Sequence, residues 1–428
     1  MVKILINNLT EIYTGPNLPI KNGYIVIEDN IISCVNDGPL EDNQVYDLVI
    51  DGKGKIALPG LINTHTHSAM TLLRGYADDL PLQEWLETKI WPFEAGLSRE
   101  DIYWGSKLAI LEMIRTGTTT FLDMYFQMEM VAKAVDESGI RSVLSEGLIE
   151  ANDGEKGLDS ALEFCRNFQG SAEGRITTML APHSPYTCSK EYLKRISTLA
   201  HKNDIAVNIH LAETKKEYEE SILNYSKTPV EYLASIGFFE SPVIAAHCVC
   251  LNDCDLEILK SNNVSVAYNP ASNMKLGSGI ARIVDMLKKG INVSIGTDGV
   301  SSNNNLDLVE EARIGSYLQK VNNLNPGLVG IDDIFNMLTF NGAKALRLER
   351  LARIERGYIA DLILVDIKGD SCFYPEHNNL SNFFYAGSGR DVDTVIINGS
   401  LVYHNKEFLT IDCEEVFYTI DKIIKNKV

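Results

Sequence analysis

The strongest constraint in this chain is a repeated unit: a short apolar run that ends on a polar, ligand-type side chain and leads into a helical pattern. Ala57 to His67 is the first such run. Gly117 to Asp123, Ser142 to Leu148, Ile176 to Pro182, Ile205 to His210, Val243 to His247, Val264 to Tyr268 and Asn292 to Asp298 follow. Unbroken apolar runs mark strands buried on both faces, and strands alternating with helices mark parallel βα units. Their number fits a closed (β/α)8 TIM-type barrel, an α/β fold, better than an open sheet. Catalytic groups in such barrels sit at the C-terminal strand ends. Here those ends carry His65, His67, Asp123, His183, His210, His247 and Asp298 in order.

The two ends of the chain read differently. Lys3 to Asn7, Gly23 to Glu28 and Ile31 to Val35 are β-rich runs punctuated by Asn and Gly, and Ala360 to Asp366 and Thr394 to Gly399 repeat that character. A helical pattern covers Glu414 to Lys425. Neither end holds enough strands for a sandwich of its own. The expected organisation is one small β-sandwich domain built from residues 1–57 and 353–428, the latter with a C-terminal helix, around a barrel at 58–352.

Composition narrows the function. A net charge of −19 repels phosphate backbones and anionic bilayers, so neither nucleic acid nor membrane is an expected partner. No apolar run is long enough to span a bilayer and the first residues lack a secretory pattern. The eight cysteines show no disulfide-framework spacing and read as free thiols in a cytoplasmic protein.

His65 and His67 lie two apart on a strand, hence on one side of it, and can share one ion. Alone, a His-x-His pair is a weak signal. Imidazoles at the ends of other strands (His210, His247) and the carboxylate of Asp298 change that, because such a set with a position left for water suits a divalent metal such as zinc, with iron or manganese as alternatives.

Pro59-Gly60-Leu61-Ile62-Asn63-Thr64-His65-Thr66-His67, His210-Leu211-Ala212-Glu213-Thr214, Ala246-His247-Cys248, Asn269-Pro270-Ala271-Ser272-Asn273 and Gly296-Thr297-Asp298-Gly299 together resemble the amidohydrolase superfamily. The nearest branch is the deaminase and chlorohydrolase group that includes 5-methylthioadenosine/S-adenosylhomocysteine deaminases. The resemblance runs nearly end to end and implies metal ligation by His65, His67, His210 and Asp298. Binuclear relatives carry a carboxylated lysine after the fourth strand; Ala181-Pro182-His183-Ser184-Pro185 has none, which implies a single metal. The ion activates water, Asp298 accepts its proton, Glu213 delivers a proton to a ring nitrogen, and His247 holds the attacking water. By the same resemblance Trp85 packs beside a nucleoside, Glu94 accepts ribose hydroxyls, and His183 touches substrate. Related enzymes self-associate, so a homo-oligomer is expected.

The expected reaction is hydrolytic deamination of an adenine nucleoside; the alternative is a deaminase or halohydrolase of guanine, a pterin or an s-triazine. Relatives that take S-adenosylhomocysteine have arginine where this chain has Glu146, and only Lys156 lies near the second expected arginine. A glutamate there would repel the homocysteine carboxylate. The expectation is therefore a small, uncharged 5′ group, as in 5-methylthioadenosine, 5′-deoxyadenosine or adenosine. Cys248, Cys250 and Cys254 read as small packing residues around His247, His201, His377 and His404 as structural or exposed, and Glu217, Glu219 and Glu220 as a solvated helix face. Tyr268 stands where histidine is frequent, with no consequence assigned.

Overall fold

The computed structural model describes residues 2–15, 19–40 and 44–427. Eight parallel strands form the central sheet: β1 (Leu61–Thr66), β2 (Thr118–Tyr125), β3 (Arg141–Leu148), β4 (Ile176–Pro182), β5 (Val207–Leu211), β6 (Val243–His247), β7 (Ser265–Tyr268) and β8 (Val293–Ile295). Each neighbours the next in chain order, and helices fill the connections. Nearly every residue of these strands is buried, which is why the sequence shows unbroken apolar runs instead of alternation. Ile62, Leu122, Val143, Met179, Ala206 and Ala246 pack with the helix Phe340–Ala345 in one cluster.

The seam between β8 and β1 is bridged largely by side chains. Thr64 Oγ1 donates to the Ile295 carbonyl at 2.9 Å, and Asn63 accepts from the Thr297 N–H at 3.0 Å while donating to Thr297 Oγ1 at 2.8 Å. Asp298 N donates to the His65 carbonyl at 2.9 Å. Gly296 permits this approach, since a Cβ there would stand 2.6 Å from Asn269 Oδ1. The strand that carries His65 and the strand that leads into Asp298 are thus locked together at the top of the barrel.

Nine strands from both ends of the chain form a second sheet, running from Glu407–Phe408 through Ser400–His404, Val392–Ile397, Leu362–Asp366, Lys55–Pro59, Lys3–Ile12 and Ile20–Glu28 to Ile31–Asp37, with Leu48–Asp51 paired beside Lys3–Ile12. The hydrogen-bonded path is continuous. It curls over itself: Asn30 Nδ2 donates to Asn398 Oδ1 at 3.2 Å, and Ile32 exchanges backbone hydrogen bonds with Gly357 and Tyr358. Ile6, Ile25, Ile32, Leu362 and Ile396 close its core. The helix Cys413–Lys427 returns to the barrel, where Lys427 pairs with Asp101 at 3.0 Å.

One expected strand divides. Ala57 to His67 reads as a single run, but Lys55–Pro59 pairs with Leu362–Asp366 in the terminal sheet, whereas Leu61–Thr66 is β1. Gly60 is the crossing point. Its N–H donates to the Asp361 carbonyl, the next N–H donates to Gly117, and a Cβ would meet Thr119 Oγ1 at 2.1 Å. Pairing partners, not local propensity, decide which sheet each half joins.

Candidate active site

The C-terminal strand ends open into a cleft lined by apolar side chains and a few convergent polar groups, the character of a site for a small organic ligand. His67, His210, Glu213, His247 and Asp298 lie on its floor side, and Trp85, Trp91, Glu94, Tyr125 and His183 are among its walls. All the residues singled out in the sequence for metal, catalysis and substrate therefore meet in one place, with His65 fully buried just behind them.

Donor atoms of His65, His67 and His210 lie within 4.8 Å of one another, as do those of His65, His247 and Asp298. His67 Nδ1 donates to the Met124 carbonyl at 2.6 Å and His210 Nδ1 donates to the His183 carbonyl at 2.7 Å. Each bond commits the Nδ1 proton and leaves an Nε2 lone pair for the centre. Those two Nε2 atoms are 3.2 Å apart. Facing lone pairs repel unless a cation or a proton joins them, and two nitrogens bound at ~2.0–2.1 Å to a tetrahedral ion stand roughly 3.3 Å apart. Both nitrogens of buried His65 lack a hydrogen-bond partner, and its Nε2 is 3.5 Å from Asp298 Oδ1. His67 Nε2 is 3.2 Å from the same oxygen. Orphaned buried nitrogens converging on a carboxylate fit one divalent cation.

Asp298 sits in the left-handed region, at φ 61°, which turns its side chain back over the barrel mouth. Its Oδ2 accepts from Ser272 Oγ at 2.6 Å and from Ser302 Oγ at 3.0 Å, and Oδ1 accepts from the Gly299 N–H at 2.8 Å. Against the cost of burial, the imidazoles of His65 and His67 hold this carboxyl well below the ordinary range. Burial likewise opposes charge on His67, but Asp298 and the Met124 carbonyl outweigh it and raise that group to about 9. Metal uptake should thus displace a proton below pH about 9 and weaken as the medium becomes acidic. Titration calorimetry in buffers of different ionisation enthalpy checks this; an affinity independent of pH between ~6 and ~9 with no proton release would refute it.

Glu213 is buried beyond β5, and its Oε2 is 3.9 Å from His247 Nε2. Burial, then the charges of Asp298 and Glu217, push its pKa well above the usual carboxyl value, which favours the protonated form. His247, at φ 73°, receives the side-chain N–H of Asn273 on Nδ1 at 3.0 Å, which leaves its proton on Nε2. Burial lowers its pKa to about 3, so the ring is neutral. Glu94 accepts from Tyr125 Oη at 2.6 Å, and burial raises it to about 7. Trp85 is held by its indole N–H on the Ala77 carbonyl at 3.1 Å.

Two expectations are corrected by tertiary contacts. Glu217 does not belong to a solvated face: it is 4% exposed, while Glu219 and Glu220 are exposed as expected. Glu146 is absent from the cleft lining among the described residues. Its carboxylate accepts from the N–H groups of Gln127 and Met128 at 3.0 and 3.2 Å, at the positive end of the helix Met128–Ser138. Repulsion of a substrate carboxylate by Glu146 from the cleft wall is therefore not what the geometry provides. Lys156 is exposed on the helix Glu150–Phe168 and lies outside the lining as well.

Sequence reasoning also missed supporting carboxylates. Asp123 accepts from Thr66 Oγ1, Ser68 N and Ser68 Oγ at 2.7, 2.7 and 2.6 Å and so holds the chain around His67. Glu311 accepts from the Ala271 N–H and Asn303 Nδ2, both at 2.8 Å, and Asn303 donates on to the Thr297 carbonyl. The strand-end position of Asp123 was visible; nothing local marks Glu311. Cys248 is buried with a raised thiol pKa from desolvation, Tyr268 is fully enclosed and bonded to Gln319, and neither lines the cleft.

A family model described as "Amidohydrolase family" matches residues 56–402. The chain belongs to the amidohydrolase family. This amidohydrolase is 56% identical to a protein of Halothermothrix orenii named 5-methylthioadenosine/S-adenosylhomocysteine deaminase, with 100% of each chain covered. Among solved structures it is similar to a zinc-bound adenosine deaminase from Xanthomonas campestris, with a TM-score of 0.94, 29% identity and 100% and 98% of the two chains covered. A zinc complex of atrazine chlorohydrolase from Arthrobacter aurescens matches with a TM-score of 0.90 over 98% of this chain and 100% of that one; at 22% identity it speaks for the fold alone. Among the described residues, no helix is long and apolar enough to cross a membrane.

Proposed function

We propose that this amidohydrolase removes ammonia hydrolytically from C6 of an adenine nucleoside, 5-methylthioadenosine, 5′-deoxyadenosine or adenosine, to give the inosine analogue. The observation that carries the reading is the buried carboxyl of Glu213, 3.9 Å from His247 and beside the His65, His67, His210 and Asp298 donor set, in a cleft that also holds Glu94. These four residues would hold the ion, for which zinc suits the nitrogen-rich set. When bound, it supplies Lewis acidity that makes water a nucleophile near neutral pH.

The protein's own groups account for the protons. Asp298 takes one proton from the attacking water. Glu213 gives its proton to ring N1 as the new C–O bond forms at C6. His247, through its Nε2–H, donates to the incoming oxygen and steadies charge there. Asp298 then returns its proton to the amino group, the C6–N bond breaks, and ammonia leaves. The remaining hydroxyl proton restores Glu213, and N1 keeps its hydrogen. Free thiols at all eight cysteines suit a reducing compartment such as the cytoplasm.

Specificity follows from the walls. Glu94 keeps acceptor capacity beyond its bond from Tyr125, which suits a vicinal diol. Glu94→Gln should raise KM for nucleosides by ~10- to 100-fold and leave KM for free bases unchanged. Wild-type nucleoside KM should also fall as pH rises through about 7, where Glu94 ionises, a trend the variant should lack. The acidic residues lining the cleft are Glu94, Glu213 and Asp298, and among the described residues its lining holds no lysine or arginine. That supports a preference for an uncharged 5′ group over S-adenosylhomocysteine. An ammonia-release assay over purine nucleosides, free bases and S-adenosylhomocysteine, alongside metal analysis, tests the whole reading. No ammonia from any purine nucleoside refutes it; equal use of S-adenosylhomocysteine refutes the 5′ preference.

A further inference from the structure

We propose that Glu217 is a positioning residue for catalysis, a buried carboxylate clamp that sets where Glu213 stands; the inference rests on the proton-carrying role given to Glu213 above. Glu217 lies on the first turn of the helix Lys215–Tyr225, capped by Thr214, whose side chain accepts from the Glu217 N–H at 3.2 Å. From there its carboxylate turns inward. Oε1 accepts from the Ala212 N–H at 2.9 Å and Oε2 accepts from the Glu213 N–H at 2.8 Å. Two acceptors on two adjacent backbone donors fix the peptide plane between them, and with it the direction in which the Glu213 side chain leaves the chain.

The clamped segment is one that would not hold itself. Ala212 has φ 51°, an uncommon conformation for a residue with a Cβ. Its carbonyl accepts from the N–H groups of Val249 and Cys250 at 3.0 and 2.8 Å, and the Leu211 carbonyl accepts from Cys248 at 3.0 Å. The loop that follows His247 is therefore hung on the same turn that Glu217 grips. One buried carboxylate sets both partners of the Glu213–His247 pair, which stand 3.9 Å apart. Glu217 itself does not line the cleft and makes no contact there that would bind a substrate.

The test is Glu217→Gln in the metal-loaded full chain. An amide must present its NH2 to one of the two N–H donors, so one bond is lost and the turn is free to rotate. Expected is a fall in kcat of ~10- to 100-fold, with KM within ~3-fold and one metal retained per chain. Glu217→Asp keeps a carboxyl with both acceptor oxygens on a shorter stem and should recover part of the loss. Glu219→Gln, two residues on and exposed, should behave as wild type. Wild-type kcat in Glu217→Gln overturns the proposal. So does a parallel loss of kcat, substrate affinity and metal, which would mark general loosening and not positioning. A Glu213→Gln variant run beside it separates the two claims. If that variant is active, the proton-carrier reading fails and takes this proposal with it; if it is inactive while Glu217→Gln is normal, only this proposal fails.

Discussion

Replacing Asp298 by asparagine is expected to cost more than ~10³-fold in kcat/KM and to strip the metal, because one side chain serves two ends at once. On the Oδ2 side two serine hydroxyls donate to it, and on the Oδ1 side stand the Gly299 N–H and the imidazoles of His65 and His67. An amide cannot accept in both directions. Whichever way it turns, its NH2 faces either the serines or the cation, and the negative charge that balances the ion is gone. Loss of the proton acceptor alone is worth ~10²–10⁴-fold. Metal content and ammonia release measured on the same preparation check this; a variant that keeps full metal and a rate within tenfold of wild type would show that Asp298 is not a ligand.

Glu213→Gln should fail differently. Its carboxyl lines the cleft and stands outside the proposed ligand set, so metal should be retained while kcat drops on the order of 10²–10⁴-fold, with little change in KM. The sign of the pH effect follows from the raised pKa. Burial and the nearby Asp298 and Glu217 charges raise the Glu213 pKa and favour its protonated form, so activity should be lost as pH rises past that pKa. That alkaline limb should vanish from whatever rate the variant retains. A steady-state pH profile with metal analysis decides it. Loss of metal from the variant, or a rate within tenfold of wild type, would contradict the role of proton carrier.

These two variants separate functions that the sequence places only three residues from a proposed ligand, at His210 and Glu213, or on one, at Asp298. That such residues could be found before any coordinates has a simple cause. Parallel barrels put reacting groups at strand C-termini, and a buried strand is a local apolar run whose end can be read. His65, His67, His183, His210, His247 and Asp298 all stand at or within a few residues of such an end. Trp85 and Glu94 lie in the segment after β1, outside any strand, and only the resemblance to deaminases pointed to them.

Other features resisted the same reading because they depend on partners far away in the chain. The run from Ala57 to His67 is uniform in sequence, yet Leu362–Asp366 claims one half and β2 the other, with Gly60 between. Glu146 looked like part of a substrate wall, but two N–H groups of a helix start turn its carboxylate aside. Glu217 shares an acidic stretch with two exposed neighbours and is buried only because the turns after β5 and β6 close over it.

By itself the sequence determined the repeating strand-and-helix units, the pairing of the chain's two ends into a separate sheet, and the strand-end histidines and Asp298 that converge at the barrel mouth. Those depend on burial and periodicity, which are written within a few residues. Tertiary structure alone decided where one sheet hands over to the other, which nitrogen of His67 and His210 faces the centre, and which carboxylates hold the loops and not the substrate. Each of these turns on which partners the folded chain brings into hydrogen-bond reach, and burial and periodicity do not encode a partner's position.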